Sequence, residues 1–398
     1  MKTGFAVFFR LAWMTYFPGG DPLARRTWRR LLVMTFFLPV FLLVQSIHWI
    51  ALGLDELLFP SYRRIEVKRP LFIVGVPRSG TTFLHRLLAG DSERFTTFPL
   101  WELLLAPAIT EKVCWITIDR IDRLVGRPLF HALRKAEGLL FGQLDQIHKT
   151  SLLDPEEDYL SLLPICACFL LVLAFPHQNG IWPLAYFDEW PEDQRRPVMR
   201  FYKRMVQRHL YVRGQDKELL SKNPSFSALV QSLPQTFPDC RIVCNLRNPY
   251  EAIPSLLSTM MDGARVFGND CGGSGYRDQL VGMLEHFYRH LIAVLPEMAA
   301  NRHAFVRFND LTANPRGVVQ SVYERLQYAM SPTFADVLQL EQERARGYRS
   351  KHRYTLEQFD LNPESIQRQL EFVFSRFDFS PDHMGPAHVA TPDCSTGN

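Results

Sequence analysis

A chain of 398 residues, 47% hydrophobic and 22% charged, can bury a sizeable core and is not a disordered polymer. Its formal net charge of +4 is too mild for a nucleic-acid binder, so no nucleic-acid partner is expected. The charge is uneven: residues 1–70 hold ten Lys or Arg against four Asp or Glu, and the remainder is slightly acidic.

The first element is the apolar run from Leu31 to Leu54, bounded by Arg25, Arg26, Arg29 and Arg30 before it and by Arg63, Arg64, Lys68 and Arg69 after it. As a helix it would reach roughly 36 Å, enough to cross a bilayer core. Pro39, Gln45, Ser46 and His48 interrupt it and both flanks are basic. The expectation is therefore an interfacial, monotopic anchor touching membrane lipids, ahead of a single span, with a buried helical hairpin as the third reading. Seven cysteines without disulfide or zinc spacing suit a reducing compartment, and no metal site is expected.

Leu71 to Val76 read as a buried strand, Gly75 to Thr82 as a tight loop and Thr81 to Ala89 as a helix. A helix start offers unpaired N–H groups and the positive end of its dipole, so the stretch is built for a phosphate or sulfate. Gly75 and Gly80 keep the spacing of a nucleoside-triphosphatase loop, but Thr81 stands where its lysine would be and the cation sits at Arg78. One cation inside the loop, with Ser79, Thr81 and Thr82, suits a single 5′ phosphoanhydride better than a triphosphate with magnesium.

Farther on, Asp154-Pro-Glu-Glu-Asp158 reads as a helix start, and Leu160 to Phe175 as an apolar core helix or a wall for an apolar ligand. Ser221-Lys-Asn-Pro-Ser225 follows, with Lys222 solvent-exposed by default. Ile242 to Leu246 form a second buried strand, after which Arg247 offers a planar cation, Pro249 suits a first helical turn and Ser255 offers a hydroxyl. Ala304 to Phe308 read as another strand, with helices from Pro315 and near Pro363, and residues 381–398 as a flexible tail.

Val74-Gly-Val-Pro-Arg-Ser-Gly-Thr-Thr-Phe-Leu84 resembles the 5′-phosphosulfate loop of sulfotransferases that use 3′-phosphoadenosine 5′-phosphosulfate (PAPS). Arg241-Ile-Val-Cys-Asn-Leu-Arg-Asn-Pro249 with Ser255 is similar to that family's 3′-phosphate motif. The resemblance covers residues 66–380 and is nearest to the bacterial group that includes lipid- and menaquinone-directed enzymes. It implies an α/β fold: a P-loop-like, mainly parallel sheet flanked by helices, here behind an apolar N-terminal anchor at residues 1–65.

It also implies PAPS as co-substrate, held by Arg78, Ser79, Gly80, Thr81, Thr82, Arg247 and Ser255. The late basic segment adds Lys351 and Arg353, and Lys222 faces the sulfuryl group or the substrate. The acceptor is expected to be a hydroxylated, hydrophobic molecule whose proton a base must take. Glu102 is the first choice for that base, with His148 and Glu157 as alternatives. Because PAPS is made in the bacterial cytosol, the catalytic domain is placed on the cytoplasmic side of a membrane. Two rival readings are a small-molecule kinase with a degenerate phosphate loop and a non-catalytic, membrane-associated nucleotide-binding protein. Oligomeric state is not legible.

Overall fold

The computed structural model describes residues 4–21, 23–132, 135, 151–269, 273–345 and 354–379. Among the described residues five strands, β1 (Leu71–Gly75), β2 (Phe95–Thr96), β3 (Glu218–Lys222), β4 (Arg241–Leu246) and β5 (His303–Arg307), form one parallel sheet in the order β2-β3-β1-β4-β5. β1 occupies the centre and is buried along its whole length, as its unbroken apolar run requires when helices cover both faces. Leu71 and Ile73 point into one core, Phe72 and Val74 into the other. The register sets Ile73 beside Lys222 and Gly75 beside Asn245, so the C-terminal ends of β1, β3 and β4 come out together.

The helix expected after the loop is α3 (Thr81–Ala89), preceded in the chain by α1 (Gly4–Tyr16) and α2 (Trp28–Leu58). α4 (Leu100–Leu105) and α5 (Ile109–Leu124) follow. The core helix expected over residues 160–175 is instead two 3₁₀ segments, Asp158–Ile165 and Phe169–Leu173. Pro164 lacks the N–H a longer helix would use, and Cys166 turns the chain into the left-handed region at φ 53°.

α2 is long and apolar enough to cross a membrane, and one face of it packs on the domain while the opposite face is exposed. Its Met34 and Leu38 belong to the same core as Phe72 and Val74. Its polar residues are docking groups. Arg30, 1% exposed, donates to the Ala174 carbonyl and to Asn269, and Trp49 Nε1 donates to the Pro164 carbonyl at 2.9 Å. His48 Nδ1 lies 2.6 Å from Glu111. Asp55, fully buried, accepts from Ile109 N and Thr110 N at 2.8 Å each, which places a carboxylate on the positive end of α5, and from Arg208 Nε at 2.9 Å. Of the residues that interrupt the apolar run, His48 helps fasten the helix to the protein, together with Arg30, Trp49 and Asp55.

Candidate functional site

The site forms where β1 gives way to α3. Gly75 has φ 135°, and a Cβ there would meet the Asn245 carbonyl oxygen at 2.1 Å, so the close approach of β1 to β4 requires glycine. The loop then turns left-handed at Arg78 (φ 69°) and Gly80 (φ 82°). A Cβ on Gly80 would also strike the Phe308 ring at 2.8 Å. Ser79 Oγ donates back to the Val76 carbonyl at 2.6 Å, and Asn245 Nδ2 donates to the Ser79 carbonyl at 3.3 Å. The first intrahelical bond of α3 runs from Leu84 N to the Gly80 carbonyl, so the N–H groups of the first turn have no acceptor within the helix.

The second motif meets the first here. Arg78 Nε donates to Ser255 Oγ at 3.0 Å across 177 residues of chain, and Arg247 Nη1 donates to the Arg78 carbonyl at 2.9 Å. The Arg247 guanidinium also stacks on Phe308, 4.3 Å from the ring centroid, and pairs with Glu251 at 2.9 Å. Tyr288 fixes the backbone by donating its hydroxyl to the Arg247 carbonyl at 2.5 Å. Ser255 lies on the helix Pro249–Val266, which Asn248 caps by accepting from Tyr250 N at 3.0 Å.

On the other side of the loop Lys222 ends β3, and it is 1% exposed where a solvent-facing lysine was expected. Its Nζ lies 3.4 Å from Thr82 Oγ1 and 3.0 Å from a carboxylate oxygen of both Glu156 and Glu157. Burial alone would lower its pKa, but Glu157 and Glu156 outweigh burial and hold the ammonium above its ordinary value. These two carboxylates are therefore the acids next to the anion loop. A small apolar cavity lined by Tyr159, Leu162, Phe169, Leu184 and Phe226 lies beside the segment that carries them.

Glu102 sits in a charged cluster of its own. It is 1% exposed on α4, and its oxygens are occupied by His209 Nδ1 at 2.9 Å, by Arg213, and by Lys112 at 3.6 Å. Burial raises its pKa, but Lys112, His209 and Arg213 together bring it down to about 2. This enclosure by Lys112, His209 and Arg213 favours a structural anion over the base expected of Glu102. His148, Lys351 and Arg353 lie outside the described residues. Among the described residues no group of three or more His, Cys, Asp or Glu is arranged to hold a metal ion.

The model of the Sulfotransferase family matches residues 70–332, a stretch that holds the loop, Lys222, Arg247 and Ser255. The chain belongs to the sulfotransferase family. Over 263 residues it is 27% identical to the omega-hydroxy-beta-dihydromenaquinone-9 sulfotransferases Stf3 of Mycobacterium bovis and Mycobacterium tuberculosis. The match takes in 65% of this chain and spans 62% of those relatives' length. Among solved structures the fold is similar to sulfotransferase STF9 from Mycobacterium avium, with TM-score 0.70 and 18% identity over 96% of this chain and 98% of that one. It is also similar to STF1 from Mycobacterium tuberculosis, with TM-score 0.67 and 17% identity over 92% of this chain and 90% of that one.

That comparison also corrects the membrane-associated localisation. A likeness to a crystallised sulfotransferase over 96% of this chain leaves too few residues over to omit the 31-residue α2. With Arg30, His48, Trp49 and Asp55 bonded into the domain, α2 is a layer of the family's fold and not an added anchor.

Sequence reasoning left several residues of the site without a role. Ser227 Oγ bridges Gly75, accepting from its N–H at 3.1 Å and donating to its carbonyl at 2.9 Å, and Phe308 joins Gly80 to Arg247. Glu156 shares Lys222 equally with Glu157, a pairing that the adjacent acids and the nearby Ser-Lys-Asn-Pro hinted at without fixing.

Proposed function

We propose that this protein transfers a sulfuryl group from PAPS to the hydroxyl of an apolar acceptor. The observation that carries the reading is the contact of Arg78 with Ser255, which brings the two sequence motifs together in one place, as a bisphosphorylated nucleotide would need. The residue set fits PAPS: a P-loop-like turn with its cation at Arg78 and no lysine at Thr81, and a second cation, Arg247, beside a hydroxyl on a separate helix. When bound, PAPS supplies the electrophilic sulfur and a nucleotide leaving group.

The chain's own groups do the rest. Arg78 and the N–H groups of the first α3 turn stabilise the charge left on the 5′-phosphate, with Thr81 and Thr82 as further donors. Arg247 and Ser255 hold the 3′-phosphate and fix the nucleotide's orientation. Lys222, kept charged, neutralises the sulfuryl oxygens. Glu157 takes the acceptor's proton, and Glu156 shares the Lys222 charge. The relatives named for omega-hydroxy-beta-dihydromenaquinone-9 support a hydroxylated, lipid-like acceptor.

The test is transfer of labelled sulfate from PAPS to hydroxylated isoprenoid quinones and long-chain alcohols in the presence of a chelator, read by mass spectrometry. Labelled sulfolipid is the expected product. Magnesium-dependent ATP turnover without any PAPS reaction would overturn the reading in favour of a kinase.

A further inference from the structure

The loop segment that carries Glu156 and Glu157 has little regular structure to hold it. Upstream it is tied by Leu100 N to the Asp154 carbonyl at 3.0 Å and by Glu156 N to the Phe98 carbonyl at 2.9 Å. Downstream the tie is a side chain. Asp158 is 1% exposed, and three donors converge on its carboxylate: Ser221 Oγ at 2.8 Å, Asn223 Nδ2 and the Tyr202 hydroxyl. Asn223 returns the contact by accepting from Tyr159 N at 3.0 Å, and its own N–H donates to the Ile73 carbonyl of β1 at 2.9 Å.

The pairing has a register. Ser221 and Asn223 are the two chain neighbours of Lys222, and Asp158 is the chain neighbour of Glu157. The residue after Glu157 is thus bonded to both residues flanking Lys222, and through Asn223 to the strand that leads into the anion loop. We infer that Asp158 is a positioning residue of the transfer reaction: its bonds to Ser221, Asn223 and Tyr202 set the Glu157 carboxylate against Lys222 and the loop. The inference rests on the reading of Glu157 as base. It follows from how charge-accepting hydrogen bonds behave when buried, since an acceptor served by three donors has one well-defined position and cannot drift without leaving donors unpaired.

The test is a set of variants of the full chain: Asp158→Asn, Tyr202→Phe, Glu157→Gln and the double variant Asp158→Asn with Glu157→Gln. Asp158→Asn puts an amide N–H against one of the three donors, while Tyr202→Phe removes one donor and keeps the ring, so it covers the case in which the first variant does not fold. Expected are a kcat at least tenfold lower in Asp158→Asn and about threefold or more lower in Tyr202→Phe. The affinity for 3′-phosphoadenosine 5′-phosphate should stay within twofold in both. In the Glu157→Gln background, Asp158→Asn should add less than twofold, because the group it positions is already gone.

A crystal structure of Asp158→Asn, or of Tyr202→Phe where the first is unstable, should show the Glu157 carboxylate beyond hydrogen-bond reach of Lys222. Losses that multiply in the double variant, or an undisturbed Glu157–Lys222 contact, overturn the inference. Normal turnover in Glu157→Gln would instead sink the base assignment, and the position of the Glu157 carboxylate in the crystal structure would still decide what Asp158 does.

Discussion

Arg78 and Ser255 are hydrogen-bonded at 3.0 Å although 177 residues separate them, and the backbone carbonyl of Arg78 accepts from Arg247 as well. Arg78 is therefore the joint between the two nucleotide motifs. Arg78→Ala and Arg247→Ala should each weaken binding of 3′-phosphoadenosine 5′-phosphate by about 1.5–3 kcal/mol, the scale of a hydrogen bond to a charged group. Calorimetric titration measures it. Preference over adenosine 5′-phosphate, which lacks the 3′-phosphate, should collapse in the Arg247 variant and persist in the Arg78 variant. Unchanged preference in Arg247→Ala would remove Arg247 from the 3′-phosphate site.

Glu157 and Glu102 should separate cleanly in kinetics. Glu157→Gln is expected to lower turnover by about 100-fold or more with nucleotide affinity nearly intact, the usual weight of general-base catalysis. Glu102→Gln leaves Lys112, His209 and Arg213 short of their common anion, so its main effect should be on the melting temperature. A Glu102→Gln protein with unchanged stability and a hundredfold lower turnover would reinstate Glu102 as base.

The two buried acids also predict opposite pH trends. Glu102 has its folded pKa depressed to about 2, so the stability it contributes is complete above about 4.5 and is lost as pH falls towards 2. Burial pushes Asp158 up to about 6 against the hydrogen bonds of Tyr202, Ser221 and Asn223. Its protonated form is the one the fold favours, and that contribution fades as pH rises from about 4 through 6. Denaturant titrations at pH 3 to 7 should show each slope flattened in its own variant, Glu102→Gln for the acid limb and Asp158→Asn for the limb above it.

Asp55 tests the place of α2. Asp55→Ala strips Arg208 of its buried partner and α5 of the carboxylate at its N-terminus, a loss of about 3–5 kcal/mol for breaking a buried pair. Removal of residues 1–60 should leave a domain that no longer unfolds cooperatively, as judged by calorimetry. A truncated protein that melts like the full chain would return α2 to the status of an appendage.

The strand, loop and α3 were legible in the sequence because each is local: an unbroken apolar run, two glycines and a helix of matching length. The strands near residues 242 and 304 shift by a single residue from expectation. What could not be read was who meets whom. Lys222 looks exposed in one dimension, because the carboxylates that let it be buried lie 65 and 66 residues away. Glu102 looks like a free acid for the same reason, since His209 and Arg213 arrive on a distant helix. The apolar stretch of α2 matched a bilayer in length, and the packing of Met34 and Leu38 and the bonds of Arg30, His48 and Asp55 to the domain could not be read in one dimension.

The central position of β1 has a consequence for synthesis. β1 emerges early, yet its neighbours β3 and β4 and its bridge to Ser227 come roughly 150 residues later, which at ordinary ribosome speeds is about 10–30 s. Through that interval an apolar strand waits with both edges unpaired, and no nucleotide can rescue it because Arg247 and Phe308 do not yet exist. The nascent chain is thus most exposed to aggregation over the stretch that later becomes the floor of its site, and chains cut short before β4 should be recovered with chaperones rather than with ligand.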